Sequence, residues 1–387
     1  MKLLFVIKSL VLPGGGAERV LAQISAALAR RGHEVIVASF DRTGEAPFYR
    51  LDPAVRWLPL GVGQVHRGTS AGEALRRAAA LRRAARRIRP DVAVGFMHSA
   101  FIPLGLALLG SGVPMLASEH IAYDHYRTRP LQAALLRLAP FLARATTVIS
   151  PEIRRGFPAS IRRRMVVVPN PVQLGVGRPA DVSGTGRAIK TLLAVGRLEA
   201  QKDHRTLVDA FAAVAGGFPD WRLRIVGEGA LRGALEAQVG RLGLENRVSL
   251  PGTIGTIEAE YESAQLFAMP STYESFGLTT AEALGHGLPV VGFADCPGTN
   301  ELVRDRVNGL LIDGDDRPAA LARGLAEMMG SAELRRDYGA AGPASIQAFG
   351  PERIADLWED LLEGIVAGGR DSVSPETMPA FQRREEG

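Results

Sequence analysis

PSTYESFGLTTAEALGHGLPVV, residues 270–291, is entered from an apolar run at Leu266–Met269 and left through a second at Pro289–Phe293. Both runs have the length of buried strands. Between them Leu278, Ala281, Ala283 and Leu284 give a helical apolar face, so the stretch predicts strand, turn, helix and strand in succession. Glu274 then falls before the helix and Glu282 inside it. The turn Ser275-Phe276-Gly277 leaves the first helical N–H groups, from Leu278 onward, without partners. Together with the positive end of the helix dipole they make a cradle for an anion such as a diphosphate. Gly277 lets backbone approach closely. Two carboxylates beside such a cradle would repel the anion, so as site residues they are there for other parts of the ligand. Hydroxyl groups are the natural partners, and sugars are rich in them. Taken singly, Glu274 and Glu282 also read as a solvated loop acid and an ordinary helix acid.

Other segments favour the first reading. The Glu-x7-Glu stretch ESFGLTTAE resembles the retaining nucleotide-sugar glycosyltransferases of family 4, which have the GT-B fold. Upstream, VGRLEAQKDHRTLVDAF supplies Arg197 and Lys202 between a strand and a helix, in the manner of that family's diphosphate-binding pair. GGGAERV, with Gly15 and Gly16, is similar to its N-terminal glycine loop, and Ser118-Glu119-His120 to its strand-end histidine. The likeness runs in order over about residues 1–366, and the joint spacing is highly specific. It implies an α/β chain of GT-B type, two Rossmann-like parallel-sheet domains facing across a cleft. Residues 1–172 would be an acceptor-binding domain, 173–188 a linker and 189–350 a nucleotide-sugar-binding domain. Residues 351–366 would be a helix crossing back, and 367–387 a disordered tail.

Composition sets bounds. A chain of 387 residues is long enough for two domains with full cores. The single cysteine, Cys296, excludes an internal disulfide and suits a reducing, cytoplasmic setting. No Cys/His cluster has zinc spacing, so no metal and no cofactor are expected beyond the nucleotide-sugar co-substrate. The start, MKLLFVIKSLVLPGGGAE, reads as a first strand rather than a signal peptide, because Lys8 interrupts the apolar run. From Val92 to Ser118 there is no charged residue, yet Pro103, Gly105, Gly110, Gly112 and Pro114 break the run into a buried strand, helix and strand.

Charge divides the chain. Up to Asn170 there are 25 Lys and Arg against 10 Asp and Glu, a net +15; beyond it 21 against 31, a net −10. The basic half calls for an anionic partner, whether a membrane surface, a diphosphate-linked acceptor or nucleic acid. GEALRRAAALRRAARRIR, residues 72–89, predicts a helix of about 27 Å. Its apolar stripe would be Ala74, Leu75, Ala78, Leu81, Ala85 and Ile88. Arg76, Arg77, Arg82 and Arg83, with Arg86, Arg87 and Arg89, would crowd the opposite face, solvated or docked on lipid.

The rest of the alternation follows. Strands are expected at Lys2–Lys8, Glu34–Phe40, Asp91–Phe96, Val113–Ser118, Ala145–Ser150 and Met165–Val168, with helices at Ala17–Arg31 and Pro130–Arg144. In an open parallel sheet the strands' carboxyl ends face the ligand crevice, which places both His98 and His120 for work. The resemblance favours His120. A dinucleotide fingerprint at Gly14-x-Gly16, with Asp41 as ribose acid, fits poorly, since the glycines lie several residues past the strand. In the second half strands Lys190–Val195 and Arg222–Val226 flank helix His204–Ala215, and Gly227 and Gly229 would open another helix N-terminus. Pro297-Gly298-Thr299 stands where the family pattern has paired glycines.

What the resemblance implies is retaining transfer of a sugar from a UDP- or GDP-sugar to a lipid-linked or cell-surface glycan. Arg197 and Lys202 would stabilise the leaving diphosphate, Glu282 would hold ribose, Glu274 the donor sugar, and His120 would face donor sugar and acceptor. The phosphate cradle would use Gly15, Gly16, Gly227, Ser275, Phe276, Gly277 and Leu278. The setting would be cytoplasmic, at the inner face of an anionic membrane, with no nucleic acid partner. A nucleotide-sugar epimerase of the same architecture, and a transferase with a soluble acceptor, are the alternative readings.

Overall fold

The computed structural model describes residues 1–12, 16–63, 70–173 and 177–368. The chain divides into two compact units, one made of Met1–Pro171 with the segment from Pro351 on, the other of Val172–Gly350. Each is built on its own parallel sheet.

In the first unit the strands are β1 Lys2–Ile7, β2 Glu34–Ser39, β3 Arg56–Pro59, β4 Val92–Phe96, β5 Met115–Ser118, β6 Ala145–Val148 and β7 Met165–Val167, in the order β3-β2-β1-β4-β5-β6-β7. Phe5 pairs with Val37 on one side and Val94 on the other. Such central strands are buried throughout, which is why they read as continuous apolar runs. Strand order reverses between β1 and β4, and a ligand crevice forms at such a switch, outside the carboxyl ends. The short edge strand β3 was not foreseen; RWLP has neither alternation nor a long apolar run.

The helices correct the sequence reading in two places. Pro130–Arg144 is not one helix but two, Pro130–Leu136 and Ala139–Leu142. Pro140 has no N–H to continue the ladder, so the chain restarts there. The basic helix spans Ala71–Ile88, capped by Ser70, whose hydroxyl accepts the Glu73 N–H at 3.2 Å. Its phase is rotated from the expected one. Leu75 is 68% exposed while Arg77 is wholly buried over the Phe40 ring, donating to Glu73 at 2.5 Å.

The Pro351–Val366 helix lies in the first unit against the Gly16–Arg30 helix. Its buried stripe includes Ile354, Trp358, Leu361 and Ile365. Arg31 bridges Glu352, Asp356 and Glu359, and His33 meets Glu359 at 2.6 Å.

The second unit has β8 Lys190–Val195, β9 Trp221–Val226, β10 Val248–Gly252, β11 Leu266–Met269, β12 Val290–Phe293 and β13 Gly309–Ile312, ordered β10-β9-β8-β11-β12-β13. Its reversal point lies between β8 and β11. Residues 177–188 are fastened to this unit: the buried Arg335 guanidinium donates to the carbonyls of Val182 and Ser183 as well as to those of Met328 and Met329. The expected tail from 367 lies outside the described residues from 369 on. Among the described residues no helix is long and apolar enough to cross a membrane.

Candidate functional site

The switch point of the second unit gathers the residues singled out from the sequence. Beyond β8 the chain runs through Gly196 and Arg197 to a short turn ending at Lys202; beyond β11 it runs from Pro270 to Gly277. Because β8 and β11 are neighbours, the two loops meet, and Lys202 Nζ donates to Glu274 Oε1 at 2.7 Å. The same carboxylate oxygen accepts from the Ser271 hydroxyl at 2.5 Å. The pair is largely enclosed, with side-chain exposures of 14% and 8%. Arg197 is exposed and reaches Glu199 at 2.8 Å.

Backbone shape completes the loop. Gly277 has φ +84° and stands just before the Leu278–Gly285 helix, which has no side-chain cap. The first-turn amides are therefore left for another acceptor. Gly298, at φ +78°, lies so close to Glu274 that a Cβ would come within 2.6 Å of its carbonyl oxygen. Glycine is required there on both counts. Arg317 braces the loop from behind, donating to the carbonyls of Pro270 and Ser271 while its guanidinium covers the Phe293 ring.

Glu282 is buried one turn into the helix and accepts from the Tyr261 hydroxyl at 3.0 Å. Gly227 and Gly229 do not open a helix; the next one starts at Arg232. They let the loops after β8 and β9 touch, since a Cβ on Gly227 would lie 2.0 Å from the Gly196 carbonyl oxygen and one on Gly229 2.5 Å from that of Leu198.

In the first unit, β5 ends at Ser118 and delivers Glu119 and His120 to the carboxyl edge. Glu119 is fully buried and accepts the N–H groups of His120 and Ile121 and the Tyr126 hydroxyl at 2.9 Å. Burial nevertheless pushes its pKa up to about 7. Tyr126 also meets His98 Nδ1 at 2.8 Å. Burial holds the pKa values of His98 and His120 down to about 4, so both rings are neutral near pH 7. His120 stacks on Phe96 with ring centres 5.2 Å apart, and Phe96 on Trp358 at 5.8 Å.

Residues 185–345 match the family model described as glycosyl transferases group 1, and residues 14–176 the one described as Glycosyltransferase Family 4. The chain belongs to the family 4-like glycosyltransferases. It is 27% identical over 370 residues to the amylovoran biosynthesis glycosyltransferase AmsD of Erwinia amylovora, covering 93% of this chain and 99% of that one. With an N-acetyl-D-galactosaminyltransferase of Campylobacter jejuni, whose name specifies a diphospho-undecaprenol glycan, it shares 26% identity over 94% of this chain and 98% of the relative. Among solved structures it resembles a sucrose-phosphate synthase from Thermosynechococcus elongatus, with TM-score 0.82, 21% identity and coverage of 95% and 99%. HepE of Anabaena in complex with UDP and glucose gives TM-score 0.79, 22% identity and coverage of 94% and 99%. These likenesses show the GT-B fold.

Within this glycosyltransferase the structure brings Lys202 and Glu274 into direct contact, a pairing that sequence reading did not anticipate. Phe276 is buried edge-on against Phe349, 5.3 Å between centres, so its side chain shapes the loop from inside. Gly16 is the exposed first residue of its helix; Gly15 lies outside the described residues. Of the basic face, Arg76, Arg83, Arg86 and Arg87 are exposed. Arg77 is withdrawn from it by burial and by Glu73, and Arg82 donates to the carbonyls of Ala107 and Leu109. Asp41 is a buried clamp that accepts from Ser9 and the Leu10 N–H, not a free ribose acid. Cys296 is buried, its thiol pushed up to about 12 by burial, in keeping with a packing role. Sequence reading missed Arg317, Tyr261 and Tyr126, whose roles depend on partners distant in the chain, and Ser271, which bonds Glu274 three positions on.

Proposed function

We propose that this glycosyltransferase moves a hexosyl group from a UDP- or GDP-sugar, with retention and without a metal ion, onto a polyprenyl-diphosphate-linked glycan at the inner face of a membrane. The observation that carries the donor half is the Lys202–Glu274 pair at the β8/β11 switch point, beside an uncapped helix N-terminus. A departing nucleoside diphosphate gains negative charge as the anomeric bond breaks. Lys202, Arg197 and the amides that follow Gly277 supply fixed positive charge and N–H donors for it. The Glu274 carboxylate accepts from sugar hydroxyls and Glu282 from ribose hydroxyls. In the first unit His120 is assigned to sugar oxygens. The acceptor hydroxyl attacks on the face the diphosphate leaves, and its proton passes to the departing phosphate oxygen.

For the acceptor, support comes from the basic first half, the exposed row Arg76, Arg83, Arg86 and Arg87 with Leu75 among them, and the lipid-linked acceptor in the name of the Campylobacter relative. A soluble acceptor is the second reading, favoured by the two arginines of that helix engaged within the protein.

The decisive test is a melting panel of UDP- and GDP-sugars followed by product analysis. A ligand at 100 times its dissociation constant stabilises by about 2.7 kcal/mol. Release of nucleoside diphosphate only when acceptor is present, with retained anomeric configuration, is expected. Epimerised sugar without acceptor would overturn the transferase reading in favour of an epimerase.

A further inference from the structure

The register of the first sheet places three side chains around His120. Ser118 pairs with Phe96 of β4 on one side and with Thr147 of β6 on the other. Residues in register on neighbouring parallel strands share a face, and a residue two positions on returns to it, so Phe96, Ser118, Thr147 and His120 come together. Phe96 stacks on the imidazole. The polar contacts form a chain: the Thr147 hydroxyl donates to Ser118 Oγ at 2.8 Å, and Ser118 Oγ meets His120 Nε2 at 2.9 Å.

One arrangement of protons gives both hydroxyls of this chain an acceptor. Ser118 Oγ already accepts from Thr147, and the partner left for its single proton is the ring nitrogen. Nε2 therefore presents its lone pair, and in a neutral imidazole the proton sits on Nδ1. That atom is buried and has no hydrogen-bond partner among the described residues, in a residue only 9% exposed. A buried N–H without an acceptor costs free energy unless a ligand supplies one.

We propose that Thr147 and Ser118 are positioning residues that hold His120 in its Nδ1–H tautomer, so that the ring meets the nucleotide-linked sugar as a hydrogen-bond donor to a hydroxyl or ring oxygen. The tautomer stands on the geometry alone, whereas the sugar contact rests on the function proposed above. Ser118 and Thr147 touch no substrate in this scheme. They act by removing the alternative tautomer, which would offer the sugar a lone pair.

The test is side-chain nitrogen NMR of the full chain, deuterated and labelled with 15N-histidine, with the His120 signals identified by their absence in His120→Asn. The bonded proton is expected on Nδ1 in the wild type. Ser118→Ala should move a measurable fraction of it to Nε2, Thr147→Val should do so to a smaller extent, and Thr147→Ser should restore the wild-type pattern. A wild-type proton on Nε2, or a tautomer unchanged in Ser118→Ala, overturns the proposal. Titration with UDP-glucose and GDP-mannose against UDP and GDP tests the contact: the Nδ1–H resonance should move with a sugar-bearing nucleotide and stay in place with the diphosphates. A wild-type Nδ1–H that none of these moves would keep the tautomer and overturn the sugar contact. Since the free-protein measurement needs no turnover, a failure of the tautomer and a failure of the transferase reading are distinguishable.

Discussion

Lys202→Met separates the observed pairing of Lys202 with Glu274 from its proposed contact with the diphosphate. Methionine keeps most of the stem's volume and removes the charge, leaving Glu274 in a site where its side chain is 8% exposed, with the Ser271 hydroxyl on the same oxygen. Removing one member of a buried pair costs about 3–5 kcal/mol. Lys202 keeps 14% exposure, so water screens part of that, and about 2 kcal/mol is the expected loss. Denaturant unfolding should show it as a lower midpoint with unchanged slope. Adding Glu274→Gln should return much of the loss, with a coupling of about 1 kcal/mol or more across the double-mutant cycle. Turnover should behave differently. Loss of one donor to the developing charge lowers the rate by about 10²–10³, and the second substitution cannot restore it. Arg197→Ala, at an exposed side chain, should change stability by no more than about 0.5 kcal/mol while lowering turnover comparably. Additive stability effects would refute the structural pairing. Full activity in either purified variant would refute the diphosphate assignment.

Glu282→Ala should weaken nucleoside diphosphate binding in calorimetry more than Glu274→Ala, whose loss should fall on transfer and donor-sugar discrimination; equal affinity losses would contradict the division of roles. Glu119 gives a pH signature: its folded pKa of about 7 lies above the ordinary 4.5, so the native state keeps a proton that the unfolded chain releases between those values. Its contribution is fully present below about pH 4.5 and is lost as pH rises through about 7, so the stability of the wild type relative to Glu119→Gln should fall across that window and then level off. A flat difference between the two unfolding curves would sink this account. Changing Arg76, Arg83, Arg86 and Arg87 to Ser should abolish salt-sensitive sedimentation with anionic liposomes, each arginine near the surface contributing about 1 kcal/mol. Equal binding to neutral liposomes, or no loss in the variant, would remove docking by this helix.

Much of the candidate site was legible because it is local. The strand before Pro270, the turn at Gly277 and the helix carrying Glu282 lie in one run of sequence, and apolar periodicity with a glycine at the boundary is enough to order them. The same holds for the alternating strands and helices that define two parallel sheets, and for Arg197 and Lys202 in one strand-to-helix loop. What periodicity does not carry is partner choice. The rotation of the Ala71–Ile88 helix was misjudged because Arg77 looks like its neighbours in the sequence; only the Phe40 ring and Glu73 beside it make burial affordable. That Lys202 grips Glu274 depends on β8 and β11 being neighbours, although 72 positions separate the two residues. Likewise the Thr147–Ser118–His120 chain exists because parallel register sets β5 and β6 side by side. Local hydrogen bonding and hydrophobic pattern determined the elements, and the family resemblance pointed to the residues of the site. Strand order and register, which are long-range, decided which of those residues touch and therefore what charge and which proton each one offers.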